Sequence, residues 1–510
     1  MPTEWKVLLG SVVLAGLLVA GLAWLSGHES VSGDRLMLYC AAGSQKAVAP
    51  TVERYRKDYG VAVEVQYGGS GTLLSSLKAS GAGDLYLAAD QSYIQLAQSQ
   101  GLLAEVLPLA RTMPVIVVQR GNTSVTGLDD LLKPAVRVAM GNPKAASIGR
   151  TVQQALTPSG QWALLDQAVQ QHGVFKPTVS DIANDVAIGA VDAGIVWDST
   201  VAQYGQLKAV HVPALDAAVQ EISIGVLKSS RHPTAALTFA RYLAARDRGL
   251  DRFKAAGFTP VDGDTWAVHP RLKFYCGAVN RRAVEEVVKA FEAREGVTVE
   301  TVYNGCGTLT GQMKSMGPAS ANFPDVYMAC DRYYLNNVRD WFQEDVDISD
   351  ADIVIAVPKG STGIKGLADL ARPGVRVAVG QGEQCTIGAL TRILLQKEGL
   401  YDAVMKNVVM QTASSAMLVP TVTTKSVDAA IAYRTDTLAE RGRIDVVAID
   451  SPYAKAVQPF SIARGSPHKQ LARRFFSVIA AARENFKAAG FNFRYNDKDA
   501  KPQAATAPKE

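Results

Sequence analysis

Three clusters of small residues in the first half of the chain have the composition of an anion-binding site. They are AAGS at 41–44, GGSGT at 68–72 and GNPKAAS at 141–147, and each follows a short apolar run. Where such a turn opens a helix, it presents unpaired backbone N–H groups, hydroxyl donors and the positive end of the helix dipole. A single turn of this kind is also an ordinary helix cap. Three of them at successive strand ends predict a site for a small anion that requires neither a metal nor a lysine.

The elements around these clusters alternate between short apolar runs and amphipathic helical stretches. Strands are predicted at 36–40, 62–67 and 85–88, and helices at 46–59 and 72–79. Such alternation indicates an α/β fold in which a parallel sheet is covered by helices. In these sheets ligands bind at the carboxyl ends of the strands, which is where the small-residue clusters lie.

The chain contains a long internal repeat. Residues 36–77 align without a gap on residues 272–313, so that LMLYCAAGSQKAV falls on LKFYCGAVNRRAV. The match resumes downstream, where VDAGIVW at 191–197 falls on VDAAIAY at 427–433. Solenoid repeats have periods of about 20–50 residues, so each copy here is a whole domain.

The motifs of the first copy together resemble the type II periplasmic solute-binding proteins, and within them the molybdate-binding proteins of ABC transporters. The resemblance is carried by AAGS at 41–44, YGGSGTL at 67–73, GDLYLAAD at 83–90, RVAMGNP at 137–143 and VDAGIVW at 191–197. It covers nearly all of the first copy and, more faintly, the second. It implies two tandem domains, each of two α/β lobes joined by a hinge, with the ligand held between lobes that close on it.

The resemblance also implies which residues hold the ligand. In that family a tetrahedral oxyanion is bound by hydroxyls and by backbone N–H groups at helix starts, with a tyrosine hydroxyl from the far lobe. Carried over by position, the binding residues of the first domain are Ser44, Ser70, Gly71, Ser147, Ile148, Val179 and Trp197. Trp197 stands where the family has tyrosine, and its indole N–H can only donate. The alternative for Trp197 is a core aromatic residue that ends a strand.

The expected ligand is a small, fully deprotonated oxyanion such as molybdate or tungstate, and no cofactor is expected. A site made only of donors leaves a protonated ligand oxygen without an acceptor, which penalises phosphate. Sulfate and molybdate differ mainly in size, and the sequence leaves the choice between them open.

The second copy replaces most of these residues together. By position its binding residues are Asn280, Cys306, Thr386, Ser415 and Tyr433. Cysteines converge on strand or helix ends around the same predicted cleft, namely Cys276, Cys306, Cys330 and Cys385. Three interpretations stay open: structural disulfides outside the cytoplasm, a soft-metal or metalloid site of thiolates, or buried free thiols acting as small apolar residues. Asp331 and Glu383 near this cleft would oppose a dianion unless they accept hydrogen bonds from neighbouring donors or ligate a cation.

An uncharged segment near the N-terminus predicts a membrane anchor. The nineteen residues from Val7 to Leu25 carry no charge, and a helix of about 20 apolar residues crosses the hydrocarbon core. A cleaved signal peptide is the alternative, although its apolar stretch is usually shorter, about 7–15 residues. We therefore expect a single transmembrane helix in the cell membrane, with both domains on the extracytoplasmic, periplasmic side.

The predicted organisation has five parts. They are an anchor or signal segment at 1–30, a first solute-binding domain at 35–261, a polar linker at 262–270, a second solute-binding domain at 271–494 and a disordered tail at 495–510.

These features predict the solute-binding component of an ABC-type uptake system, which passes its oxyanion to a membrane permease. The alternatives are a membrane-tethered ligand sensor, a binder of a soft metal or metalloid at the cysteine-rich second cleft, and a thiol redox role for the four cysteines. The net charge of +5, without a basic run, argues against a nucleic-acid partner. The sequence has no nucleophile elbow and no catalytic metal motif, so we do not expect an enzyme.

Overall fold

The computed structural model describes residues 35–496, and the chain divides into two compact units between Asp262 and Gly263. Each unit is α/β, as expected. The predicted anchor within residues 1–30 and the predicted tail beyond residue 496 lie outside the described residues. Between residues 35 and 496, no helix combines the length and apolar character needed to cross a membrane.

The described strands of the first unit form two sheets, one in each lobe. The strands are β1 (Leu36–Ala41), β2 (Val63–Gly68), β3 (Leu85–Ala88), β4 (Leu103–Thr112), β5 (Pro114–Gln119), β6 (Val138–Gly141), β7 (Val174–Lys176), β8 (Ala193–Trp197), β9 (Leu207–Val210), β10 (Gln220–Leu227) and β11 (Thr259–Pro260). The sheet of the near lobe has the order β11-β4-β10-β3-β1-β2, and that of the far lobe β7-β6-β8-β5-β9.

Both sheets are mixed, so the prediction of a parallel sheet is only partly correct. In the near lobe β1 runs parallel to β2 and β3, whereas β10 runs antiparallel to β3 and β4. The reason is the path of the chain: β4 leaves the near lobe and β10 returns to it, so the two strands run in opposite directions. Antiparallel neighbours of this kind need no crossover helix.

The chain crosses between the two lobes twice, which creates the hinge. Met113 alone separates β4 from β5, and residues 211–219 connect β9 to β10. The backbone N–H of Met113 donates to the Asp198 carboxylate at 3.1 Å, which ties the first crossing to the residue that follows β8.

The helices of the first unit cover these sheets. They are α1 (Gln45–Tyr59), α2 (Ser70–Ser80), α3 (Gln91–Ser99), α4 (Ser147–Leu156), α5 (Gln161–His172), α6 (Val179–Ala187), α7 (Asp198–Val201), α8 (Pro213–Asp216), α9 (Pro233–Leu243) and α10 (Gly249–Ala255). In α1 the buried residues Ala47, Val48, Thr51 and Tyr55 recur at helical spacing. The helix ends where Gly60 adopts a left-handed conformation and its N–H donates to the Arg56 carbonyl.

The second unit repeats this arrangement with one continuous strand through both lobes. Its strands are β12 (Arg271–Gly277), β13 (Thr298–Asn304), β14 (Val326–Met328), β15 (Phe342–Pro358), β16 (Val377–Gly380), β17 (Val408–Thr412), β18 (Ala429–Tyr433), β19 (Ile444–Ala448), β20 (Lys455–Ala463) and β21 (Asn492–Phe493). β15 pairs with β20 in the near lobe and with β18 and β19 in the far lobe. It takes the place of β4 and β5 in the first unit.

The helices of the second unit follow the same order. They are α11 (Arg281–Glu295), α12 (Cys306–Met316), α13 (Arg332–Asn336), α14 (Thr386–Lys397), α15 (Tyr401–Met405), α16 (Leu418–Thr423), α17 (Arg434–Thr437), α18 (Lys469–Ala481) and α19 (Arg483–Ala488). A buried ion pair joins the end of α11 to α18, since Glu295 accepts from Arg474 at 2.7 Å.

Residues of the predicted linker and of the predicted tail pack on the second unit. The carboxylate of Asp264, in the predicted linker, accepts hydrogen bonds from the backbone N–H groups of Gln470 and Leu471. Tyr495, in the predicted tail, stacks edge-on against Phe476 with ring centroids 5.5 Å apart. The folded region therefore extends into both segments.

Candidate functional site

Two near-lobe clusters meet at one edge of the first sheet. β1 ends at Ala41 and is followed by a 3-10 helix, Ala42–Ser44, while β2 ends at Gly68 just before α2 begins at Ser70. Because β1 and β2 are parallel and Ala41 pairs with Gly68, both turns lie at the same carboxyl edge. This is the arrangement that the sequence predicted for Ser44 and Ser70.

The far lobe presents the remaining predicted residues from the starts of two helices and the end of a strand. Ser147 and Ile148 begin α4, Val179 begins α6, and Trp197 is the buried last residue of β8. The first N–H groups of a helix have no partner within that helix, so they are available to an anion.

The two lobes enclose a small cleft between these groups, with a volume of about 20 Å³. Its lining contains no ionised side chain. The lining residues are Ala41, Ala42, Gly43, Gly68, Gly69, Ser70, Ala89, Ala146, Ser147, Ile148, Pro177, Thr178, Val179 and Trp197. The structure thus brings together five of the predicted binding residues, and Ser44 lies directly beside the lining residue Gly43.

Three hydroxyls at this cleft and its hinge side are buried without a hydrogen-bond partner among residues 35–496. They belong to Ser44, Ser147 and Thr200. A buried polar group left unpaired costs about 1–3 kcal/mol, and a ligand that paired with it would remove that cost. Thr200 was not predicted as part of the site, although it lies only one helical turn beyond Trp197.

Ser70 is held in a defined orientation. Its Oγ accepts the backbone N–H of Ala89 at 3.1 Å, and its carbonyl accepts from the hydroxyl of Tyr86 at 2.8 Å. The Ala89 N–H occupies one acceptor position of Oγ. The hydroxyl proton of Ser70 is therefore available to donate to a ligand.

Gly71, one of the predicted binding residues, contacts the far lobe. Its backbone N–H donates to the Ala145 carbonyl of the far lobe at 3.0 Å, so this N–H joins the lobes instead of facing a ligand. Gly69 also lies at the lobe contact, because a Cβ there would come within 2.4 Å of the Pro177 carbonyl oxygen and 2.5 Å of that of Ala145. The described conformation is therefore one in which the lobes of the first unit are in contact.

In the second unit, cysteines replace the residues that orient the near-lobe turn. Cys306 begins α12, and its Sγ accepts the backbone N–H of Cys330 at 3.0 Å, as Ser70 Oγ accepts that of Ala89. The two sulfur atoms are 2.8 Å apart. A Cβ on Gly277 would come within 2.3 Å of the Cys330 sulfur. Glycine at this position, which is Ala41 in the first unit, leaves room for the larger atoms.

The described structure corresponds to the third interpretation of the cysteines. Cys40, Cys276, Cys306, Cys330 and Cys385 are all buried free thiols in it. Among the described residues, no group of three or more His, Cys, Asp or Glu side chains could hold a metal ion. The four thiols of the second unit fill space at positions where the first unit has alanine, serine or, in the case of Cys40, cysteine.

The electrostatic state of the thiols follows from burial and hydrogen bonding. Burial raises the pKa of Cys385 to about 11 and raises that of Cys276 well above its ordinary value. Burial also acts to raise the pKa of Cys306, but hydrogen bonds from the thiol and backbone N–H of Cys330 outweigh it and lower the pKa. Cys306 is thus the thiol of this group that most readily carries negative charge.

Asp331 and Glu383, the two acidic residues predicted near the second cleft, each have partners in the structure. The Asp331 carboxylate accepts the backbone N–H groups of Tyr333 and Val457, each at 2.8 Å. Glu383 is exposed and lies 3.6 Å from Arg392. A carboxylate at this site was expected to oppose a dianion unless it accepts hydrogen bonds from neighbouring donors, and Asp331 does accept such hydrogen bonds.

The second unit has its own buried polar atoms without a partner in the part of the chain that the structure describes. They include the predicted residues Asn280, Thr386 and Tyr433, and also Thr435 and Asp436. Asp436 occupies the position of Thr200, three residues after Tyr433. The replacement of threonine by aspartate in the repeat alignment was the signal that could have identified this position.

One family model, described as bacterial extracellular solute-binding protein, matches the chain twice, over residues 36–259 and 272–492. A Haemophilus influenzae protein is 27% identical over 249 residues, which are 48% of this chain and 98% of that protein. The molybdate-binding protein ModA of Escherichia coli K12 is 25% identical over 247 residues, which are 46% of this chain and 93% of that protein. The structure of the Azotobacter vinelandii periplasmic molybdate-binding protein covers 44% of this chain and 98% of its own, with 21% identity and a TM-score of 0.36. Each relative thus corresponds to about one copy, and the chain belongs to the bacterial extracellular solute-binding proteins, whose domain it carries twice in tandem.

Proposed function

We propose that the first domain, residues 35–261, captures a small, fully deprotonated tetrahedral oxyanion of the molybdate and tungstate type. The chain would work on the extracytoplasmic side of a membrane, tethered by residues 1–30, and would pass the anion to an ABC-type permease. The observation that carries the proposal is the pair of buried, unpartnered hydroxyls of Ser44 and Ser147 beside a cleft without charged side chains.

The chemistry of the cleft favours a deprotonated ligand. Helices begin at Ser70, Ser147 and Val179, which line the cleft between the lobes, and a backbone N–H can only donate. Every oxygen of a dianion can accept from such groups, whereas a protonated oxygen would place its own hydrogen against a donor. The named activity of the molybdate-binding relatives is consistent with this choice.

The proposal is tested by titration calorimetry of the full chain with molybdate, tungstate and sulfate. We expect heat of binding at one site that Ser44→Ala and Ser147→Ala each weaken by about 10- to 100-fold, because hydrogen bonds to a charged group contribute about 1.5–3 kcal/mol. Ser99→Ala is the matched control, since Ser99 is an exposed helical serine of the same domain. Absence of binding by all three anions would refute the proposal.

A further inference from the structure

The second cleft differs from the first in the direction of its hydrogen-bonding groups. At the two positions where the first unit has the hydroxyls of Ser44 and Thr200, the second has Asn280 and Asp436. A hydroxyl can donate or accept, whereas an ionised carboxylate can only accept. The two substitutions therefore change what the cleft offers to a ligand.

Asn280 is fixed as an acceptor by its surroundings. The residue is fully buried, and its amide nitrogen donates to the carbonyl oxygens of Ala329 at 3.2 Å and Met328 at 3.5 Å. Turning the amide over would set its oxygen against these two carbonyl oxygens, so the hydrogen-bond network assigns this orientation. The Oδ1 atom is left buried, with no hydrogen-bond partner among residues 35–496.

Asp436 supplies a second acceptor in the same unit. Its Oδ2 atom is also buried and has no partner in the described part of the chain. The residue belongs to α17, directly after Tyr433 and β18, and interacts with Ser415 at the start of a far-lobe 3-10 helix and with Arg282 of α11. That 3-10 helix packs against the one that ends at Asn280, so both acceptors lie where the lobes meet.

We propose that the second cleft binds an oxyanion that retains a proton at neutral pH, of the hydrogen phosphate class. This inference rests on the proposed function in one respect, namely that the second domain also holds a small oxyanion. A fully deprotonated oxyanion would place lone pairs against both Asn280 Oδ1 and the Asp436 carboxylate, whereas the O–H of a protonated oxyanion donates to such an acceptor. The hydroxyls of Thr386 and Tyr433, both buried and unpartnered in residues 35–496, are donors for the remaining ligand oxygens.

The test is calorimetry of the full chain, freed of phosphate, with inorganic phosphate, sulfate and molybdate. We expect one phosphate site per chain whose affinity is unchanged by Ser147→Ala in the first domain. Asp436→Asn and Asp436→Thr, the latter installing the first-domain residue, should each weaken phosphate binding by about 10- to 100-fold, the loss expected for a hydrogen bond to a charged group. Asp450→Asn, a change at an exposed aspartate of the same unit, is the control.

The outcomes separate this inference from the proposed function. Molybdate binding at two sites per chain, or phosphate affinity within about twofold of wild type in both Asp436 variants, would overturn the inference and leave the first-domain proposal standing. Loss of molybdate binding in Ser147→Ala alongside intact phosphate binding supports both. A chain that binds none of the three anions overturns both. Thermal unfolding of each variant shows whether a loss of binding reflects a loss of fold.

Discussion

Replacing Asp436 by asparagine should stabilise the ligand-free protein at alkaline pH. Burial raises the pKa of Asp436 from 3.8 to about 6, and the Ser415 hydroxyl and the charge of Arg282 counteract only part of this rise. With the pKa at about 6 instead of 3.8, the ionised carboxylate is expected to destabilise the folded second unit by on the order of 3 kcal/mol, since one pKa unit corresponds to about 1.36 kcal/mol.

The sign of the pH dependence follows from the direction of the shift. A carboxyl whose pKa is higher in the folded state binds its proton more tightly there than in the unfolded chain. The wild type therefore loses stability as the pH rises from about 4 to about 6, and the full loss is present above that window. Asparagine carries no charge at any pH, so the advantage of Asp436→Asn should be greatest at pH 8 and vanish near pH 4.

The assay is urea unfolding of the ligand-free full chain between pH 4 and pH 8, with the unfolding of the first unit as an internal reference. Asp450→Asn, at an exposed site, should show no comparable pH-dependent gain. A gain for Asp436→Asn that is the same at pH 4 and pH 8, or a loss at pH 8, would refute the reasoning about burial of this carboxylate.

Other substitutions test lobe contact, the core of the second unit and the thiols. Gly69→Ala places a Cβ within 2.4 Å of a far-lobe carbonyl oxygen, which would push the lobes apart. The affinity for molybdate measured by calorimetry should therefore fall by about tenfold or more. The control is Gly121→Ala, whose Cβ meets no atom within 4 Å and should leave the affinity unchanged. Glu295→Ala removes the buried carboxylate that pairs with Arg474, and urea unfolding should show a loss of about 3–5 kcal/mol. A loss below about 1 kcal/mol would show that this ion pair contributes little to stability. Cys306→Ser should stay within about 1 kcal/mol of wild type, because the serine oxygen can accept the same backbone N–H. A much larger loss in thermal or urea unfolding would show that the sulfur itself fills an essential space.

Much of the fold and part of the site could be predicted from the sequence. The repeat established two copies of one domain, and the strand predicted at 36–40 matches β1, Leu36–Ala41. The proximity of Ser44 and Ser70 was also predictable, because parallel neighbouring strands end at the same edge of a sheet. The antiparallel strands were missed, since β4 and β10 pair across more than a hundred intervening residues and no local pattern records that pairing.

The roles of individual atoms depended on contacts between the lobes. Gly71 has the same local pattern as a ligand-binding turn, yet its N–H donates to Ala145 of the far lobe. The state of the cysteines and the acceptor role of Asn280 were likewise undecided until their neighbours were known. Hydrophobic periodicity and turn composition reflect the backbone within one element, so they determined the elements, while the internal repeat determined the duplication. Which donors and acceptors remain free is set by groups distant in sequence, and only the tertiary structure decided it.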